Sequence, residues 1–319
     1  LFTTHYSPLT IMTGIVYKST GSWYSVKEPG GRFYNARIKG VFKIDEITST
    51  NPIAVGDTVD FDNENEGEGS VIITKIHDRK NYVARQSPRG KHQHHIVASN
   101  LDQSLLLATI KDPRTSQGFI DRFLVACEMY HVPAIVVFNK TDVYKEIDWA
   151  EFERMKTLYE AVGYQVFPIS IKKEEGIEEV NTMLKDKTTL ISGHSGVGKS
   201  SFINVIMPGS KIKTKDVSGW SGKGQHTTTF AEMYDVMAGG KIIDTPGMRE
   251  FGLVDVEKDE LSGYFPEMRR RLNDCQYNNC RHIAEEDCAI KQAVRDGEID
   301  EDRYVSYVNI LESLRENEW

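Results

Sequence analysis

From Met12 to about His77, apolar and polar positions alternate in short runs, IMTGIVYK, SWYSVKE, RFYNARIKG, DTVDF and VIITKIH, separated by Gly, Pro, Asn and Asp. A period of two over several short segments with frequent turn residues predicts a small antiparallel β-barrel. The acidic, glycine-bearing stretch 62–70 reads as a solvated hairpin connection. After Leu101 the rhythm becomes an apolar strand followed by an amphipathic helix: SLLLATI, a helix around 119–130, PAIVVF, a helix over 149–162, QVFPIS, a helix over Ile177–Leu184, then TTLISG. Such alternation predicts a parallel sheet with helices on both faces, completed by the strands TFAEMYDVMA and KIIDTPG. Beyond Asp255 the chain turns acidic and helical. The pattern predicts three units: 1–100, a barrel with a basic linker; 101–255, an α/β domain; and 256–319, a helical domain.

Composition sharpens this picture. In 319 residues, 39% apolar and 27% charged, enough apolar surface is available to fold the whole body, and wholesale disorder is excluded. Lys and Arg number 39 against 47 Asp and Glu, a net charge of −8, which speaks against non-specific adhesion to DNA or to an anionic membrane. No apolar run approaches the roughly 20 residues of a spanning helix, and the start lacks a signal pattern, so a cytoplasmic location is expected. The first residues, LFTTHYSPLT, carry no Met and precede Met12, as a tag remnant, a processed end or an extended start would. Any RNA contact must come from a local patch. Lys75, Arg79, Lys80, Arg85, Arg89 and Lys91 face only Asp78, with His92, His94 and His95 following. An isolated charge run is usually a solvated linker, but this one adjoins a barrel of a kind that stacks bases on exposed aromatics. Trp23, Tyr24, Phe33 and Tyr34 are candidates, and strand alternation leaves at most one of each adjacent pair available.

The strongest chemical signal is GHSGVGKS, Gly193 to Ser200, between the strand TTLIS and the helical run SSFINVIM. This is a phosphate-binding loop in its required context. The amides of Gly193, His194, Ser195, Gly196, Val197 and Gly198 would close around phosphates, with Ser201 following on the helix. Lys199 would reach the β and γ oxygens, and Ser200 would ligate Mg²⁺. NKTD, Asn139, Lys140, Thr141 and Asp142, selects the base: the Asp142 carboxylate accepts from the ring N–H and the amino group of guanine, a match adenine lacks. Asn139 would brace the loops, and the Lys140 stem would lie over the base. DTPG places Asp244 near the metal through water and the Gly247 N–H near a γ-phosphate. The HTTT segment offers Thr228, or as second choice Thr227, to complete the metal shell. Because NKTD precedes GHSGVGKS, which precedes DTPG, the domain reads as circularly permuted, and the nucleotide implied is GTP or GDP. Separately, Cys275, Cys280, His282 and Cys288 form a tightly spaced donor set that suits one structural Zn²⁺ with no position left for an activated water. Binding of order 10 kcal/mol would then fold a segment thin in core residues. Cys127, alone in DRFLVACEMY, reads as a small buried hydrophobe.

A barrel, then NKTD, PIS, GHSGVGKSS, HTTT and DTPG in permuted order, then a Cys-Cys-His-Cys cluster, resembles the small ribosomal subunit biogenesis GTPase family RsgA, also called YjeQ. The likeness covers nearly the whole chain. It implies an OB-fold N-terminal barrel, a permuted P-loop GTPase domain, a zinc domain, and GTP hydrolysis stimulated by the 30S subunit during late 16S rRNA maturation. It also implies that backbone N–H groups around Ser170 touch the guanine carbonyl. Many GTPases orient water with Gln just after the D-x-x-G glycine, but Met248 stands there. In the family the His of HTTT is thought to serve, which maps onto His226; catalysis would thus rest on His226 with Lys199 and Thr228. Nothing in the sequence suggests an obligate dimer. Two other readings stay open: a GTP-switched module acting on tRNA or mRNA with hydrolysis only as a timer, and, more distantly, a zinc-dependent hydrolase.

Overall fold

The structure, a computed structural model, describes residues 11–38, 51–62, 70–86, 94–208, 231–245, 253–254 and 256–314. Five strands, β1 (Met12–Ser19), β2 (Tyr24–Lys27), β3 (Phe33–Ile38), β4 (Thr58–Asp62) and β5 (Ser70–Ile76), pair in the order β1-β2-β3-β5-β4. The N-terminal half of β1 pairs back on β4, so the barrel closes. Alternate residues Val16, Val26, Val59, Phe61 and Ile73 point inward and fill it. One ladder departs from the antiparallel expectation: β3 and β5 run parallel. They are not hairpin neighbours, and β4 crosses to β1 between them, so the chain reverses twice before β5 returns.

Next come β6 (Tyr82–Gln86) and β7 (His94–Ser99), a two-stranded ribbon where the sequence suggests only a basic linker. Val83, Ala84, Ile96, Val97 and Ala98 are buried there. Their apolar runs are too short, and too closely flanked by charge, for the alternation to register.

The central unit contains β8 (Gln103–Ala108), α1 (Gln117–Met129), β9 (Ala134–Phe138), α2 (Glu146–Val162), β10 (Gln165–Pro168), α3 (Ile177–Leu184), β11 (Thr188–Ser192), α4 (Lys199–Ile206), β12 (Glu232–Asp235) and β13 (Lys241–Asp244). Strands β10-β9-β8-β11-β13 are parallel. Period-two alternation sorts their side chains between two cores. Leu106, Ala108, Val136 and Phe138 pack with Leu124, Phe152 and Tyr159 of α1 and α2. Leu105, Leu107, Ile135 and Val137 pack with Val180, Leu184, Phe202 and Ile203 of α3 and α4. Strand β12 is antiparallel to β13, not parallel as expected. The turn 236–240 between them is far too short for a crossover, which needs a dozen residues or more.

Strand β12 also carries the ladder onward into the barrel through the pair Lys18↔Glu232, so both units share one sheet. A bulge between Val16 and Lys18 lets β1 turn from one partner to the other. Lys18 and Glu232 form an ion pair of 3.1 Å, the Tyr17 hydroxyl donates to Asp235 Oδ1 at 2.6 Å, and Lys27 also reaches Asp235.

The C-terminal unit holds α5 (Pro266–Arg269), α6 (Ala289–Arg295) and α7 (Glu301–Ser313) around Leu261, Phe265, Met268, Ile290, Tyr307 and Ile310. Val125 of α1 belongs to the same core, so α7 docks on α1. At that contact Arg303, 1% exposed, forks onto Glu267 at 2.7 and 3.0 Å and reaches Asp121 at 2.8 Å. Tyr159 donates to the same Asp121 oxygen at 2.9 Å. Among the described residues no helix is long and apolar enough to cross a membrane.

Candidate nucleotide site and metal cluster

The phosphate loop spans β11 and α4 at the C-terminal ends of the parallel strands, where α/β sheets bind ligands. Two of its glycines are obligatory on steric grounds. A Cβ on Gly193 (φ 141°) would stand 2.4 Å from Leu107 O, and one on Gly198 (φ 104°) would stand 2.6 Å from Asn139 Nδ2. Val197 is buried and anchors the loop, whereas Ser195 and Gly196 are exposed. Ser200 and Ser201 occupy the first turn of α4. The Lys199 ammonium folds back onto Gly193 O. Burial pulls Lys199 below the usual ammonium range, partly opposed by Asp244.

Strand β9 delivers the NKTD segment to the same edge. Asn139, 3% exposed, donates from Nδ2 to Val197 O at 2.8 Å, and its Oδ1 accepts from Ile171 N at 3.2 Å. One amide therefore ties the phosphate loop to the loops after β9 and β10. Lys140 adopts a left-handed φ of 70° and donates to Asp112 O. The Thr141 amide donates to Ile169 O at 3.2 Å, and Asp142 Oδ1 accepts from the Ser170 hydroxyl at 3.0 Å. Ser170 thus enters the site through its side chain, by holding Asp142. Its own N–H, expected to face a guanine carbonyl, donates to Glu175 O at 3.0 Å.

Asp244, last residue of β13, lies in register with Ile191 of β11, which brings the DTPG segment beside the phosphate loop. It is 8% exposed, and its Oδ1 has no hydrogen-bond partner among the described residues. Burial raises its carboxyl above the usual range, against the pull of Lys199. A buried, half-satisfied carboxylate within electrostatic reach of Lys199 fits a hydrated divalent cation. His226, Thr227, Thr228, Gly247 and Met248 lie outside the described residues. The raised carboxyl has a definite sign for stability: its protonated form contributes fully below 3.8, and that contribution is lost as pH rises through the raised value. At neutral pH the charged group therefore weakens the unliganded protein. Asp244→Asn should raise the melting temperature of the unliganded protein by a few degrees while abolishing the Mg²⁺-dependent gain on adding GTP. Calorimetry at pH 7 with and without Mg²⁺·GTP measures both, and an unchanged gain would remove Asp244 from the metal site.

The loop 109–115, after β8, carries no sequence motif. It backs the site at three points. Thr115 Oγ1 lies 2.7 Å from His194 Nε2, Asp112 O accepts from Lys140, and the Pro113 ring stands 3.3 Å from where a Gly196 Cβ would be. Its composition is ordinary, and only its position after a central parallel strand marks it.

The cysteine cluster sits on the C-terminal unit. The ligand atoms of Cys275, Cys280, His282 and Cys288 all lie within 4.8 Å of one another. His282 Nδ1 is 3.3 Å from Cys288 Sγ and 3.6 Å from Cys275 Sγ. A tetrahedral ion with bonds of roughly 2.0–2.3 Å sets ligand atoms about 3.5–3.8 Å apart, so the set fits once its widest gap closes by about 1 Å. Burial, with the neighbouring Cys288 and Cys275, pushes the Cys280 thiol up to about 12, a cost that a coordinated cation removes. The Tyr304 hydroxyl donates to His282 O at 2.6 Å and that of Tyr307 to Arg281 O at 2.7 Å, which locks the cluster to α7. Cys127 is buried in the central core and is not among these ligands.

On the barrel, Trp23 and Phe33 are exposed by 49% and 52%, Tyr24 is buried, and Tyr34 is half-buried. Lys27 lies 5.4 Å over the Phe33 ring and Arg32 5.0 Å over Tyr34, so this face pairs aromatics with cations. Much of the basic run is occupied internally. Arg79 forks onto the buried Asp57, both contacts 2.6 Å, Lys80 reaches Asp102, and His77 lies 2.8 Å from Asp60. Lys75 and Arg85 remain exposed, whereas Arg89, Lys91 and His92 lie outside the described residues.

A base-selecting loop that precedes the phosphate loop in sequence yet is hydrogen-bonded to it in space requires a rotated strand order, and β10-β9-β8-β11-β13 supplies it. The fold and site define a circularly permuted P-loop GTPase fused to a closed OB-like barrel. The chain belongs to the RsgA family: a family model described as RsgA GTPase matches residues 76–254, and one described as RsgA N-terminal domain matches 13–71. A protein of Flavobacterium psychrophilum named small ribosomal subunit biogenesis GTPase RsgA is 53% identical over 302 residues, covering 94% of this chain and 93% of that protein. A protein of the same name from Christiangramia forsetii is 48% identical, covering 96% of this chain and 98% of its own length. The crystal structure of YjeQ from Thermotoga maritima superposes with a TM-score of 0.77 at 32% identity, covering 96% of this chain and 99% of that one. The structure of YloQ, described as a circularly permuted GTPase, gives 0.74 at 27% identity over the full length of both chains.

Proposed function

We propose that this chain binds GTP between the NKTD and phosphate loops and hydrolyses it to GDP and phosphate, stimulated by the 30S subunit late in small-subunit maturation. The observation that carries the nucleotide reading is the Asn139–Val197 hydrogen bond, which fixes a guanine-selecting carboxylate at a set distance from a phosphate cradle. The names of the similar proteins supply the small-subunit partner. The aromatic and cationic barrel face suits single-stranded segments of 16S rRNA. The division into 1–100, 101–255 and 256–319 belongs to the same reading, supported by β7 ending at Ser99 and by the separate core around Phe265. A cytoplasmic monomer fits this role.

In this mechanism Asp142 and Ser170 select and hold the base, and Lys199 leaves Gly193 O for the β and γ oxygens. The phosphate-loop amides neutralise charge that develops on the transferred group. Ser200, Thr228 and, through water, Asp244 would hold Mg²⁺, which would supply Lewis-acid neutralisation of the phosphate charge. Water is oriented or deprotonated by the neutral imidazole of His226, the role Met248 cannot fill. Zn²⁺ at Cys275, Cys280, His282 and Cys288 would be structural, because four protein donors leave no open position.

The test is GTP turnover with and without purified 30S subunits, with 50S subunits and ATP as controls. Stimulation by 30S alone, lost in His226→Ala with GTP affinity retained, is expected. Absence of stimulation with GTP still bound would dismiss the ribosomal role, and stimulated turnover in the variant would dismiss His226.

A further inference from the structure

The loop 109–115 carries a hydrogen-bond arrangement with one consistent assignment of protons. Thr115 is 2% exposed; its N–H donates to Thr109 O at 2.8 Å, and its Oγ1 accepts from Thr109 N at 2.9 Å. On its other side that hydroxyl lies 2.7 Å from His194 Nε2. The remaining ring nitrogen, Nδ1, lies 3.1 Å from Ser195 O, a carbonyl that can only accept. Nδ1 must therefore carry a proton, because a bare nitrogen would set two lone pairs against each other. In the neutral ring Nε2 is then bare and the Thr115 hydroxyl donates to it. Burial, with Lys199 and Lys140 close by, holds His194 below the ordinary imidazole range, so the ring is neutral near pH 7. The edge-on contact with Phe119 of α1, 5.5 Å between centroids at 85°, fixes the ring plane.

The held carbonyl has a consequence for the loop. A trans peptide points its C=O and N–H in opposite directions. With Ser195 O tethered to the imidazole, the Gly196 N–H is aimed away from it, and Pro113 limits movement of Gly196 on one side. Without the tether this exposed peptide is free to flip, and a flipped plane would present an oxygen to the phosphates.

We propose that Thr115, outside every sequence motif, is a positioning residue of the nucleotide site: it anchors the His194 ring at Nε2, and the ring, protonated at Nδ1, in turn holds the Ser195–Gly196 peptide ready for phosphate. This rests on the reading of the site as a guanine-nucleotide site. Thr115 touches no substrate in this arrangement. It sets the starting geometry of an amide that does, so its loss weakens GDP and GTP alike.

The experiment uses the full-length chain and fluorescent analogues of GDP and GTP. Thr115→Val, close in shape but without the hydroxyl, should weaken both nucleotides roughly five- to tenfold, the range expected for one neutral hydrogen bond. Thr115→Ser should stay within about twofold of the parent. His194→Ala should lose as much as Thr115→Val, and the double variant should be no weaker than either single one, because the two residues act as a unit. Nitrogen-15 spectra of the imidazole give the readout that a merely structural role would not move: the parent shows His194 protonated at Nδ1 with a hydrogen-bonded bare Nε2, and Thr115→Val moves the Nε2 resonance to that of a ring nitrogen accepting no bond. Parent-like affinity in Thr115→Val, or a parent ring protonated at Nε2, overturns the proposal. Should Thr115→Val fail to fold, the parent tautomer and the His194→Ala affinities decide the matter alone. A parent chain that binds no guanine nucleotide would instead overturn the reading of the site.

Discussion

Arg303→Met should lower the unfolding free energy by roughly 3–5 kcal/mol, the usual result of removing one member of a buried ion pair. Arg303 is 1% exposed, and its partners Asp121 and Glu267 are 0% and 9% exposed. Burial alone would favour a neutral guanidine, but the two carboxylates outweigh it and keep Arg303 charged. The guanidinium also lies 4.8 Å over the Phe265 ring. Deleting it strands two buried carboxylates, and the penalty is mostly theirs. Arg303→Lys keeps a charge but cannot reproduce the fork onto Glu267, so it should fall between. Arg303→Met with Asp121→Asn and Glu267→Gln should recover part of the loss, because no uncompensated charge is left. Urea unfolding of the four proteins checks this. Equal stability of Arg303→Met and the parent would mean that α7 does not rely on the network for its seat on α1.

The second large effect concerns the base. Asp142→Asn should weaken GTP on the order of 10²- to 10³-fold, since two hydrogen bonds to a charged acceptor are replaced by one weak contact and one mismatched donor. The same variant should gain xanthosine triphosphate, whose base carries a carbonyl where guanine has its amino group and so accepts from the new amide. Ser170 can still donate to the side-chain oxygen that the variant retains, so the loop stays in place, as the 3.0 Å contact in the parent indicates. Competition titration with both nucleotides measures the exchange of preference. Undiminished GTP affinity would mean that the base lies elsewhere.

What the sequence showed was local. Short alternating runs between turn residues marked the five barrel strands, and the helix over Ile177–Leu184 matches its expected span residue for residue. The phosphate loop was legible because glycines, lysine and flanking elements all sit within one short segment, and the cysteine cluster because its ligands are close in sequence. What it hid depends on partners far away along the chain. Arg79 read as part of a basic patch, yet Asp57, 22 residues earlier, takes it into an internal fork. Arg303 lies in a stretch legible only as acidic and helical, and its partner Asp121 is 182 residues away. Thr115 and the rest of its loop carry no compositional signal, since a hydroxyl becomes a positioning group only when the fold sets an imidazole beside it. The direction of β12 was decided by the shortness of one turn, which strand alternation alone does not weigh.

The seam between barrel and central sheet bears on how this protein can be taken apart. An outermost strand with open N–H and C=O groups invites pairing with any extended chain nearby. Here β12 meets β1 at Lys18↔Glu232 and is further held by Tyr17 and Lys27 on Asp235. Cutting the first hundred residues away would uncover a four-residue template lying immediately after the segment that contains His226. Such a fragment would be prone to clump, and any kinetic constant measured on it would describe aggregates as well as molecules. The barrel thus doubles as a guard rail for the half of the protein that handles nucleotide.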